Sequence, residues 1–103
     1  MADHIVAGSD VGVHATLAPD TADTITYEHV PSSVEILNRT GSDAIYVAVD
    51  GSDATVGGAN CHVLPAAICA LKLAVTQFGT RTGEAIHVSL ISESAEDYSV
   101  SRA

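Results

Sequence analysis

The chain has no tryptophan and only one phenylalanine, and aromatic residues make up 4% of its 103 positions. A core without large rings must be assembled from β-branched and small side chains, and an apolar share of 47% supplies them. That composition argues against a disordered tail and suits a thin β-sandwich. Cationic residues are scarce too: four Lys and Arg stand against 13 Asp and Glu, a formal net charge of −9. Neutralising phosphates takes Lys and Arg in numbers, so the balance argues against nucleic-acid binding and against docking on an anionic membrane. It favours solubility and a partner that presents basic groups. No apolar run is long enough for a transmembrane span. The opening MADHIVAGSD has neither a basic n-region nor an apolar h-region, so no secretion signal is expected. In the reducing cytosol that this implies, Cys61 and Cys69 are expected to be free thiols.

What the sequence does have is alternation. Val11, Val13, Ala15 and Leu17 share one face, as do Ile25 with Tyr27 and Val34 with Ile36. The pattern continues through Ile45, Val47 and Val49, through Leu71, Leu73 and Val75, through Ile86, Val88 and Leu90, and ends with Tyr98 and Val100. A period of two is the signature of half-buried strands. Turn residues separate the runs: Pro19-Asp20, Pro31-Ser32-Ser33, Gly41-Ser42-Asp43, Asp50-Gly51, Gly57-Gly58, Gly79 and Gly83. The spacing predicts an all-β fold, an antiparallel β-sandwich of Ig-like type with about seven short strands. The segment PAAICALKLAV has helix-forming residues, but Leu71 to Val75 alternates and reads as a strand. The length fits one domain. Residues 1–10 read as an N-terminal arm or added edge strand and 11–103 as the sandwich, with 92–97, SESAED, an acidic turn.

Chemistry-bearing motifs are weak. Asp50-Gly51-Ser52-Asp53 offers two carboxylates, but calcium takes about six to eight oxygens and the EF-hand spacing is missing. The stretch reads as a turn. Cys61, His62, Cys69 and His87 are zinc-type ligands without paired spacing, and adjacent strand residues such as Cys61 and His62 point to opposite faces. The five histidines sit in no nucleophile motif, and G-x-S-x-G, P-loop and H-E-x-x-H patterns are absent. No cofactor, metal or catalysis is expected. Asn38-Arg39-Thr40 matches a glycosylation sequon, which without secretion is incidental, and reads as a hairpin end. The candidate interface residues are His14, Tyr46, His62 and His87, opposite core positions or beside a strand start, with Asp50 and Asp53 in an excursion at one end of the sandwich. Tyr46 leads, because an amphipathic ring on an outward strand face is a common interface anchor.

Two stretches, VEILNRTGSDAIYVAVDGSDATVGGANCHVLPA and IHVSLISESAEDYSV, resemble small all-β virion proteins of tailed phages that infect actinobacteria. The likeness lies in N-R-x-G, I-Y-x-x-V-D-G, V-G-G, L-P-A, V-x-L-I-S and a terminal Y-S-V, all within residues 34–66 and 86–100. The resemblance implies a structural virion component, foremost a capsid decoration protein on the outer capsid surface. It would be made in the host cytoplasm, bound to the major capsid protein, and assembled as a homo-oligomer, a trimer foremost. A tail or neck position is the alternative. The I-Y-x-x-x-D-G-S-x-x-T stretch also resembles Ig-like modules of chitin-degrading enzymes, with Ala54 in place of their proline. That likeness implies a carbohydrate-binding module, for which four aromatics are few. A small hydrolase is the third class.

Overall fold

The computed structural model describes residues 3–6, 12–28, 33–49, 52–74 and 86–102. They form nine strands: β1 (Asp3–Val6), β2 (Gly12–Thr16), β3 (Asp23–Tyr27), β4 (Ser33–Asn38), β5 (Ile45–Ala48), β6 (Cys61–Leu64), β7 (Cys69–Ala74), β8 (Ile86–Ile91) and β9 (Asp97–Arg102). Among the described residues there is no helix. One sheet has the order β1-β3-β8-β5-β6 and the other β2-β9-β4-β7. Their inner faces meet in a shared core.

The strand pairs are nested. β2 pairs with β9, β3 with β8, β4 with β7 and β5 with β6, all antiparallel. The chain is one long hairpin whose successive tiers fall in alternate sheets, and this is the order of a jelly roll. The Ig-like expectation is corrected here. An immunoglobulin sandwich groups its strands as ABED and CFG, whereas among the described residues only β5 and β6 are consecutive strands that pair. Alternation reports which residues face inward, and it does not report which strand lies beside which. The expected count of about seven rises to nine through β1, which lies in the N-terminal arm, and β6. The antiparallel expectation fails at one place, since β1 runs parallel to β3 from Asp3↔Thr24 to Val6↔Tyr27.

The inward rows are those the period-two pattern marked. Ile25, Tyr27, Val34, Ile36, Ile45, Val47, Val88, Leu90, Tyr98 and Val100 are inaccessible to solvent. Val49 and Leu73 are buried with them, and Leu71 is half-buried against the same cluster. Val11 and Val75 lie outside the described residues. A second, smaller cluster sits on the outer face of the five-stranded sheet. There Ala22, Ala48, Ala54 and Ile91 are buried, with Tyr46, Val56 and Cys61 packed against them. Ala54 belongs to the β5–β6 connection, and its N–H donates to Ser89 Oγ at 2.8 Å. The connection therefore folds back over the sheet. It is not an excursion at the end of the sandwich, because small side chains at Ala48 and Ala54 let backbone approach the outer face. Gly57, at φ 72°, makes the return turn, and the N–H of Gly58 bonds the Thr55 carbonyl at 3.0 Å.

Asn38-Arg39-Thr40-Gly41 is a corner where the chain leaves one sheet for the other, so the hairpin-end reading is corrected as well. Asn38 is fully buried. Its Nδ2 donates to the carbonyls of Asp43 at 3.0 Å and Pro65 at 3.3 Å, and its Oδ1 accepts the Gly41 N–H at 2.9 Å. Arg39 donates from its backbone to the Asp97 carbonyl and from its guanidinium to the Tyr98 carbonyl, and Thr40 Oγ1 accepts the Asp97 N–H. Gly41 has φ 76°, and a Cβ there would stand 2.8 Å from Ile68 N and 2.9 Å from Ala67 C. Gly41→Ala is expected to cost about 1–2 kcal/mol for the left-handed backbone alone, with the contact added. About 1 kcal/mol moves the Tm of a domain this small by roughly 4–8 °C. Thermal melting should show at least that drop, and an unchanged Tm would contradict the corner geometry.

Candidate interaction surface

A cleft of about 70 Å³ opens beside this corner, lined by Asp43, Ala44, Tyr46 and Glu93. Three segments build it: the β4–β5 connection, the start of β5, and the β8–β9 connection. The carboxylate of Glu96 holds the first and third together. Glu96 has no exposed surface. Its Oε1 accepts the Asp43 N–H at 2.6 Å, while its own backbone carbonyl accepts the Leu17 N–H at 2.9 Å. Its Oε2 is buried without a hydrogen-bond partner. Ser94 Oγ donates to Asp43 Oδ2, and Ser92 Oγ donates to the Ala44 carbonyl at 2.8 Å. Asp43 is thereby fixed at backbone and side chain, Glu93 is exposed, and Tyr46 is half-buried with one side on the outer-face cluster.

Two carboxylates beside an aromatic ring are groups that can bind a basic side chain. The carboxylates can accept charge-assisted hydrogen bonds, and the ring face attracts a guanidinium or ammonium. The fixed Asp43 leaves little side-chain entropy to lose on binding.

The structure places Tyr46 in this cleft and scatters the other sequence candidates. His14 is exposed on the outer face of the four-stranded sheet, with Nδ1 2.7 Å from Ser99 Oγ. His87 is exposed on the outer face of the other sheet, with Nδ1 3.0 Å from Thr26 Oγ1. Those two point away from opposite sides of the molecule. His62 is exposed on edge strand β6, across from Val47. Asp53 is exposed in the folded-back connection, and Asp50 lies outside the described residues. Cys61 and Cys69 are free thiols. Among the described residues no group of three His, Cys, Asp or Glu side chains could hold a metal ion.

Sequence reasoning missed Asp43, Glu93 and Glu96. The first lay in a turn signal, and the others in an acidic turn whose members gave no sign that Glu96 is buried. The only available signal was the run of serines around them, which can hold carboxylates in place.

A second polar group lies inside the sandwich. Tyr98 donates from its hydroxyl to Asp23 Oδ2 at 2.9 Å, and His4 Nε2 stands 3.7 Å from the same oxygen. Burial raises the Tyr98 pKa far above the ordinary phenol value, and the hydrogen bond to Asp23 and the negative charge of Asp23 push it further. Tyr27, with its hydroxyl buried and unpartnered, is pushed up to about 12 by burial, which the Arg102 guanidinium 5.3 Å over its ring partly offsets. These residues tie β1 and β3 to β9 across the core. The burial of Asp23, Tyr27 and Tyr98 makes them part of the scaffold.

No protein-family model, curated protein or solved structure matches the chain.

Proposed function

We propose that this chain is a non-enzymatic structural protein of a tailed-phage virion, a capsid decoration protein that binds the major capsid protein on the outside of the head and reinforces contacts between capsomers. The observation that carries this reading is a cleft lined by Asp43, Tyr46 and Glu93 on a hydrogen-bonded corner, an arrangement suited to a basic side chain. The resemblance of the N-R-x-G, V-G-G and Y-S-V motifs supports it, since they include Asn38, Gly41, Gly57 and Tyr98, which set corner, return turn and core. The net charge of −9 suits a partner with basic groups on its outer surface. The jelly-roll strand order is an architecture that recurs in viral capsid domains, among others. The mechanism is added interface area. A standard interface buries about 1,600 Å² in total, and repetition over a lattice lets modest contacts reinforce a shell.

The test adds purified protein to undecorated heads and measures occupancy after washing. Tyr46→Ala and Glu93→Lys are each expected to lower affinity at least about tenfold, about 1.4 kcal/mol, with the isolated fold intact. Wild-type binding should weaken as salt rises, because part of the attraction is screened Coulomb energy. Wild-type occupancy by both variants would remove the cleft from the interface. Wild-type protein that binds purified tails and leaves heads bare would overturn the decoration reading.

A further inference from the structure

The acidic residues are unevenly placed. Residues 61–74, CHVLPAAICALKLA, contain no Asp or Glu and carry Lys72, in a chain whose formal net charge is −9. This segment is one side of the sandwich. β6 is the outermost strand of the five-stranded sheet, β7 is the outermost strand of the four-stranded sheet, and Pro65 to Ile68 cross between them. The side is apolar and open: Val63 is 55% and Ile68 72% exposed, and Ala66, Ala67 and Ala70 are exposed as well. The nearest acid in register is Glu35, and it stands directly across from Lys72. The opposite side differs. There β1 begins with Asp3, and Thr16 at the end of β2 donates from its hydroxyl to Asp97.

We infer that the β6–β7 side is where a second copy of the chain docks. Two molecules of charge −9 repel over most of their surface. Among the described residues the β6–β7 strip carries no carboxylate, so a contact there sets no acid of the strip against its copy, and burying Val63 and Ile68 is favourable. The outer backbone groups of an edge strand also offer hydrogen bonds to another chain. The strip is held ready for contact: Asn38 Nδ2 bonds the Pro65 carbonyl at 3.3 Å, and Gly41 lets the backbone at Ala67 and Ile68 sit close against the corner. Val63 stands across from Tyr46 in register, so the strip ends beside the Asp43–Tyr46–Glu93 cleft, whereas Ile68 lies on the crossing between β6 and β7. The inference concerns the isolated chain and stands whether or not the chain binds heads.

The test is the solution mass of the full chain by light scattering after size exclusion, over a concentration series. The wild-type protein is expected at a multiple of its 10.5 kDa mass. Ile68→Asp and Val63→Asp, both at exposed positions, are expected at the monomer mass with a far-UV spectrum and Tm close to those of the monomeric wild type at high dilution. Ile5→Asp, at a position 65% exposed on β1, is the control and should keep the assembly. A wild-type monomer at every concentration, assembly that survives Ile68→Asp and Val63→Asp, or equal disruption by Ile5→Asp would each overturn the inference.

Discussion

Val47→Asp is expected to abolish cooperative folding. Val47 has no exposed surface and lies at the middle of β5, in register with Leu90 on one side and His62 on the other. A carboxylate there would be buried with no cation in the apolar cluster that surrounds it. Burying an unpaired charge costs several kcal/mol after relaxation, and a domain holds only about 5–15 kcal/mol in total. Val63→Asp is the matched control. It makes the same change one strand away, at a position 55% exposed on the opposite face of the sheet, and should keep the strands. Far-UV circular dichroism and melting distinguish the pair. A normal Tm for Val47→Asp would mean that β5 is displaced by one residue, since such a slip exchanges the two faces of a strand.

Alkaline pH is expected to unfold the protein, and two tyrosines set the window. Ordinary phenols titrate near 10.0, and burial raises Tyr27 to about 12 and Tyr98 further. Below pH 10 both are protonated in the folded and the unfolded chain, and stability is at its full value. Above pH 10 the unfolded chain gives up these protons while the folded chain keeps them. Stability then falls by about 1.4 kcal/mol per pH unit for each tyrosine, until Tyr27 titrates in the folded state near 12. Phenolate absorbance from Tyr27 and Tyr98 should rise together with the loss of the β-sheet spectrum. Tyr27→Phe should halve the slope. It should cost little at neutral pH, because its hydroxyl has no partner to lose. Phenolate formation by all three tyrosines with the strands intact would contradict the buried positions.

Those positions show what the sequence made legible and where it ran out. Inward rows such as Val88 and Leu90, or Val34 and Ile36, follow from period two, because one solvated face forces polar residues between apolar ones. β6 escaped because it is an edge: of Cys61, His62, Val63 and Leu64 only Leu64 is buried, so the pattern that burial imposes is missing. β1 alternates poorly for the same reason, with Ile5 outward and Val6 inward. Topology was illegible because nested and adjacent pairings use the same alternating strands. Tyr46 could be placed on an outward face from its neighbours Ile45 and Val47. Its companions Asp43 and Glu93 come from connections 50 residues apart in the chain, joined through a buried Glu96 whose local sequence looks like any solvated acidic turn.

The most direct measurement is a cryo-EM map of tailed-phage heads carrying this chain. The expected result is density for the jelly roll on the outside of the shell, with the Asp43–Tyr46–Glu93 cleft closed around a basic side chain of the major capsid protein. Density for the chain in the tail or neck, or on the shell with that cleft facing solvent, would contradict it.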